Sequence, residues 1–75
     1  MPRSLCTIAR EIHEDWKNIS PDAKPYLDAM ATLSNVNNMY GYDTGSSIVL
    51  YFLANAQGWR GEKARAIKVE LKALL

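Results

Sequence analysis

Residues 46–56 read S-S-I-V-L-Y-F-L-A-N-A, and this stretch decides the fold. It carries no charge, and residues 48–53 are all large and apolar. The apolar run alone is compatible with a buried strand, but the residues after it extend the pattern to helical length before Gly58, a common helix end. We therefore predict a helix over residues 45–57. Because its apolar groups cover nearly every face, we expect protein to surround it at the centre of the domain.

The composition indicates one small globular domain without disulfide or metal cross-links. The chain has 75 residues, of which 48% are hydrophobic and 23% charged, as in folded rather than disordered proteins. Cys6 is the only cysteine and His13 the only histidine. The sequence therefore predicts no internal disulfide, no metal site and no cofactor. Stability must come from close helix packing or from self-association.

Three further helices are predicted around the apolar run. Apolar residues at helical spacing indicate the first over residues 4–18, with Ser4 as its N-cap. The second is predicted over residues 21–33, although Pro25 removes a backbone donor and leaves open a start near that proline. The last is predicted over residues 60–74. The expected fold is an all-α, compact four-helix domain that spans the whole chain.

A polar connection, S-N-V-N-N-M-Y-G-Y-D-T-G at residues 34–45, joins the second and third helices. Asn and Gly favour turns, and connections of this length are uncommon in compact domains and often functional. The alternative is a loop that only spans a distance. In that case its apolar side chains would pack against the core, namely Val36, Met39, Tyr40 and Tyr42.

The string D-T-G-S at residues 43–46 matches the catalytic string of aspartic proteases. That chemistry needs two such loops whose carboxylates share a proton, so this chain would have to act as a homodimer. The residues before Asp43 are M-Y-G-Y instead of an apolar strand, and no flap hairpin is evident. A helix cap at Asp43 or Thr44 explains the string without catalysis. We therefore expect no enzymatic activity and keep a dimeric protease as a remote alternative.

Positive charge is concentrated near the C-terminus. Residues 59–75 hold five basic and two acidic residues, a net charge of +3, whereas residues 1–58 hold four basic and six acidic residues, a net charge of −2. A nucleic-acid-binding regulator would contact phosphates through the basic side chains of this segment, Arg60, Lys63, Arg65, Lys68 and Lys72. The alternative is a solvated helix face, because the total charge is only +1 and no nucleic-acid-binding motif is present.

Candidates for protein contact lie in the polar connection and in the turn before the last helix. They are Asn37, Asn38, Tyr40, Tyr42, Trp59 and Arg60. Tyrosine, tryptophan and arginine are enriched among residues that dominate binding energy. For Trp59 the alternative is burial over the end of the third helix. Self-association also stays open, because three residues of the last helix face away from its inner side, Ala66, Val69 and Ala73.

Four strings suggest a family: S-P-x-A-x-P-Y-L-x-A-M at 20–30, Y-x-Y-D-x-G at 40–45, Y-F-L-x-N-A at 51–56 and W-R-G-E at 59–62. A chain with these strings resembles small phage- and prophage-encoded proteins of unknown function from Gram-positive bacteria, over about residues 5–75. The resemblance implies no catalytic residues. It implies a non-enzymatic protein that binds a host or phage protein, for example as an inhibitor of host machinery or defence.

The expected location is the cytoplasm of the bacterial host. No segment has the roughly 20 apolar residues that are needed to cross a membrane. Charged residues interrupt the apolar positions near the N-terminus, which does not match the layout of a signal peptide.

Overall fold

The computed structural model describes residues 3–75 and contains four helices and one short β-hairpin. The helices are α1 (Leu5–Asp15), α2 (Lys24–Met30), α3 (Gly45–Ala54) and α4 (Glu62–Leu74). The strands are β1 (Met39–Tyr40) and β2 (Asp43–Thr44), which pair antiparallel between α2 and α3. The fold is mostly helical. The prediction of a purely all-α domain is wrong, because the polar connection contains this hairpin.

The first helix begins as predicted and ends earlier. Ser4 is the N-cap, and its hydroxyl accepts a hydrogen bond from the Thr7 N–H at 3.3 Å. The predicted end at residue 18 is three residues too late. Trp16 has left the helical region (φ −91°, ψ 96°), and its side chain is buried.

The second helix is shorter than predicted at both ends. A turn precedes it, and Lys24 is its first residue, so Pro25 lies in the first turn where a missing N–H costs little. This confirms the alternative of a start near Pro25. After Met30 the backbone tightens, because the N–H groups of Thr32 and Leu33 bond to carbonyls three residues back instead of four.

The hairpin has a two-residue turn. Tyr40 pairs with Asp43 across it, and Gly41 takes φ +64° at the first turn position while Tyr42 keeps a negative φ. This combination matches a type II′ turn, which favours glycine at that position. Met39, Tyr40 and Tyr42 are exposed on the hairpin, so packing of the loop against the core holds only for Val36.

An aromatic cluster forms one end of the core. The rings of Trp16 and Trp59 stack with centroids 5.8 Å apart, and Phe52 meets both edge-on at 6.2 and 6.4 Å. All three side chains are buried. The cluster therefore joins the end of α1, the last turn of α3 and the turn before α4.

The third helix is not enclosed on every side. Ile48, Val49 and Phe52 are buried, whereas Leu50 is 55% and Tyr51 49% exposed. The expectation that protein surrounds this helix is therefore wrong for one side. The physical reason is size, because three other short helices in a 75-residue chain cannot cover a fourth all round. We call the exposed side, formed by Ser47, Leu50, Tyr51 and Ala54, the outer face of α3.

The ends of the last two helices also differ from prediction. The third helix ends at Ala54 instead of residue 57. Asn55 follows as its C-cap, and the Asn55 side chain donates to the Tyr51 carbonyl at 2.8 Å. The fourth begins at Glu62 instead of residue 60, because Gly61 has φ +116° and cannot be helical.

Candidate functional site

The loop before α3 satisfies the first backbone donors of that helix. Thr44 is the N-cap, and its hydroxyl accepts from the Ser47 N–H at 3.1 Å. The Gly45 N–H donates to the Asn38 carbonyl at 2.7 Å, and the Ser46 N–H donates to the Val36 carbonyl at 3.0 Å. The alternative of a helix cap is thus confirmed, and the capping residue is Thr44.

Gly45 is required by a close backbone approach. A Cβ atom at this position would lie 2.8 Å from both the Asn35 carbonyl oxygen and the Val36 Cα. Asp43 is exposed, and within residues 3–75 its carboxylate makes no side-chain hydrogen bond or ion pair. Thr44, Gly45 and Ser46 therefore each have a structural role in the loop, whereas the Asp43 side chain makes no such contact.

A pair of variants separates the cap from the carboxylate. We expect Thr44→Ala to lower the free energy of unfolding by about 1 kcal/mol, because the Ser47 N–H loses its acceptor. Asp43→Asn should stay within about 0.5 kcal/mol of the original, as exposed substitutions usually do. Urea unfolding followed by circular dichroism measures both. A larger loss in Asp43→Asn than in Thr44→Ala would contradict the assignment.

The structure brings three of the five predicted nucleic-acid-binding residues together. Arg60, Arg65 and Lys68 line one cavity of about 270 Å³ beside the start of α4. The other two lie apart from it: Lys72 is one turn beyond Lys68, and Lys63 turns towards α1. The Lys63 ammonium is 3.5 Å from the Glu11 carboxylate. The basic residues thus form a cluster at one end of the helix and not one continuous row.

Trp59 is buried, and its predicted role as an exposed contact residue is wrong. Its side chain is only 2% exposed. The indole N–H donates to the Asp15 carboxylate at 2.8 Å, and the Lys68 ammonium lies 5.9 Å from the ring centroid. The alternative, burial of the indole over the end of α3, is confirmed. The same burial removes Trp59 as a platform on which bases could stack.

The other candidates for protein contact do not form one surface. Tyr40, Tyr42 and Asn37 are exposed, but Asn38 holds the loop, since its carboxamide oxygen accepts from two backbone N–H groups at 2.9 and 3.0 Å. Asn37 lines a groove together with the C-terminal end of α4. Arg60 precedes the other end of this 13-residue helix, about 18 Å away.

The outer face of α3 adds exposed residues that the sequence did not single out. Leu50 and Tyr51 project from it, and the Tyr51 ring lies 5.4 Å from that of Tyr26 on α2. Positions 47, 50, 51 and 54 fall on one side of a helix by their spacing. The sequence analysis did not identify this side as the exposed one, because both sides of the helix carry large apolar residues.

The remaining ionic contacts link the N-terminal part of the chain to α4 and α1 to α2. The Arg3 guanidinium bonds to Glu11 and Glu70, and its hydrogen bond lowers the pKa of the Glu70 carboxyl from the ordinary value. His13 lies 3.7 Å from the Asp28 carboxylate. Within residues 3–75, no three His, Cys, Asp or Glu side chains come close enough to hold a metal ion.

Comparisons of the chain with models of protein families, with curated proteins and with solved structures found no match. None of the helices within the described residues 3–75 is both long and apolar enough to cross a membrane.

Proposed function

We propose that this protein is a non-enzymatic binding protein that contacts another protein through the hairpin and the outer face of α3. One observation carries the proposal: five large apolar side chains are about half exposed or more within residues 39–51. They are Met39, Tyr40, Tyr42, Leu50 and Tyr51. Exposed apolar groups concentrated in one part of a small protein are typical of an interaction site.

The chemistry of this segment suits a protein interface. Tyrosine supplies a large, rigid and amphipathic contact area, and it is enriched among residues that dominate binding. Asp43 is the only charged residue between positions 39 and 59. Charged residues are depleted at the centre of interfaces because desolvating them is costly.

The resemblance to small phage and prophage proteins supplies the setting of the proposal. In that setting the partner is a host or phage protein, for example a component of host machinery or defence that this protein inhibits. The compartment is the bacterial cytoplasm. The alternative is self-association through α4, where Val69 is also exposed, and a charge at Val69 would then disrupt it.

Nucleic-acid binding has less support. Trp59 is buried, so it cannot serve as a platform on which bases stack beside the basic side chains of the cavity at the start of α4. A dimeric protease has no support in the geometry of Asp43, which lies in a two-residue strand at the tip of an exposed hairpin.

Two lysine substitutions test the proposed surface. Leu50→Lys places a charge on the outer face of α3, and Val69→Lys does the same on α4, where the original side chain is similarly exposed at 63%. We expect Leu50→Lys to weaken binding of the captured partner by at least tenfold, since interface hot spots contribute about 2 kcal/mol or more. Val69→Lys should bind like the original protein.

The measurement is capture from a bacterial host lysate, followed by titration of the purified partner. Circular dichroism must first show that both variants are folded, and light scattering distinguishes self-association from binding of a second protein. Equal binding by both variants would exclude this surface. Hydrolytic turnover by the purified chain that disappears in Asp43→Asn would overturn the non-enzymatic class.

A further inference from the structure

The cavity beside the start of α4 is positively charged and has no acidic lining. It measures about 270 Å³ and is bounded by Trp59, Arg60, Gly61, Ala64, Arg65 and Lys68. Three of these six residues carry a positive charge and none carries a negative one. We call this feature the basic cavity.

Helical spacing explains why these groups converge. Lys68 lies three and four residues after Arg65 and Ala64, so these three share one side of α4, and Gly61 is the N-cap at the same end of the helix. The two small residues leave space between the long cationic side chains. Gly61 has φ +116°, and a Cβ built there would meet nothing within 4 Å, so the cavity is open at this point.

The cations of the cavity lack carboxylate partners. Among residues 3–75, the basic groups within 4.0 Å of a carboxylate belong to Arg3, His13 and Lys63. Arg60 and Arg65 are exposed and make no side-chain hydrogen bond within the same range. Their guanidinium groups are therefore available to an anion that enters from solvent.

The backbone of Trp59, which lines the cavity, holds the Lys68 side chain in place. Its ammonium donates to the Trp59 carbonyl at 2.8 Å, which leaves two further N–H groups for another acceptor. Burial lowers the pKa of this ammonium from its ordinary value, and the charges of Lys72 and Arg60 lower it further. Because these cations repel one another, a bound anion would relieve the repulsion.

The end of the helix reinforces this positive potential. Gly61 is the N-cap of α4 and offers no side-chain acceptor to the N–H groups of the first turn. The positive end of the helix dipole adds to the field there, although the three cationic side chains supply most of it. Glu62, the nearest acidic residue in sequence, is exposed and does not line the cavity. Asp15 accepts the Trp59 indole N–H and does not line the cavity either.

We propose that the basic cavity binds a terminal phosphate group of a small phosphorylated molecule. A phosphate monoester carries up to two negative charges and three acceptor oxygens, which suits two guanidinium groups and one fixed ammonium converging on a concave site. A single cavity of this size accommodates one phosphate group and part of the molecule that bears it. The site is independent of the protein-binding surface proposed above.

The test is a titration of the full chain followed by amide and indole shifts in ¹H–¹⁵N spectra. The probes are inorganic phosphate, adenosine 5′-monophosphate and adenosine. We expect the first two to shift the signals of residues 59–68, and adenosine to leave them unchanged. The absence of shifts with either phosphate compound would overturn the proposal.

Matched charge removals establish the site. Arg65→Gln should weaken phosphate binding by about tenfold, since it removes a charge-assisted contact. Arg10→Gln removes the same charge from an exposed position on α1 and should leave the affinity unchanged. Equal weakening by both variants would mean general charge attraction and would overturn the site.

Two short oligonucleotides identify the source of the phosphate. One carries a 5′-phosphate and the other a 5′-hydroxyl. Preferential binding of the 5′-phosphorylated strand supports recognition of a terminal phosphate, in this case from a nucleic acid. Equal binding of both strands, tighter than that of adenosine 5′-monophosphate, would overturn the proposal in favour of contacts with the phosphodiester backbone.

Discussion

Trp59→Ala is expected to remove a large part of the stability of this protein. Truncation of a buried tryptophan costs about 3–5 kcal/mol, through lost apolar burial and the cavity left behind. A domain of 75 residues has a total free energy of unfolding of roughly 4–11 kcal/mol, at 0.05–0.15 kcal/mol per residue. The loss should be large here because the Trp59 ring contacts both Trp16 and Phe52.

Two companion variants separate the contribution of the Trp59 ring to stability from that of its N–H hydrogen bond. Trp59→Phe keeps an aromatic ring against the cluster and should lose clearly less than the alanine variant. Asp15→Ala removes only the acceptor of the indole N–H and should cost about 1 kcal/mol. Urea unfolding followed by far-ultraviolet circular dichroism compares all three without relying on tryptophan fluorescence. A loss below 1 kcal/mol in Trp59→Ala would mean that the indole is outside the core.

Gly45→Ala is expected to destabilise the protein by about 1–3 kcal/mol. The added methyl group would lie 2.8 Å from the backbone of Asn35 and Val36, so the loop or the helix must shift. The sign of the effect is informative. Alanine is favoured over glycine within helices by up to about 1 kcal/mol, so propensity alone predicts stabilisation.

Gly58→Ala is the matched control for Gly45→Ala. A Cβ at Gly58 would meet nothing within 4 Å, and this glycine has no positive φ. We therefore expect a neutral or slightly stabilising effect, because alanine reduces the conformational entropy of the unfolded chain. The urea midpoint of Gly45→Ala should fall, whereas that of Gly58→Ala should stay the same or rise slightly. Stabilisation by Gly45→Ala would contradict the close approach of the loop to α3.

Local sequence signals predicted the helices better than their ends. The capping hydroxyl of Ser4 and the start of α2 near Pro25 depend on neighbours in the chain; the first prediction is confirmed, and so is the alternative left open for the second. The exit from α1 depends on burial of Trp16 against Phe52 and Trp59, which are far away in sequence. A pattern confined to residues 4–18 contains no information about those partners.

The candidate sites show the same division. The sequence identified Tyr40 and Tyr42 as candidates because they lie in a long polar connection and tyrosine is enriched among residues that dominate binding energy. It left open whether Trp59 is an exposed contact residue or covers the end of the third helix, and the indole is buried with its N–H bonded to Asp15. Whether a tryptophan beside glycines is a contact residue or a core residue depends on whether elements distant in sequence pack against it.

The sequence by itself determined a small, mostly helical domain, the capping of α1, and a basic C-terminal segment. These properties follow from residue spacing, local hydrogen bonding and composition. Only the tertiary structure decided which side of the apolar helix is exposed, that Arg60, Arg65 and Lys68 share a cavity, and that Gly45 must lack a side chain. The reason is that α3 is apolar on both sides, so its exposure depends on how much surface the other three helices can cover.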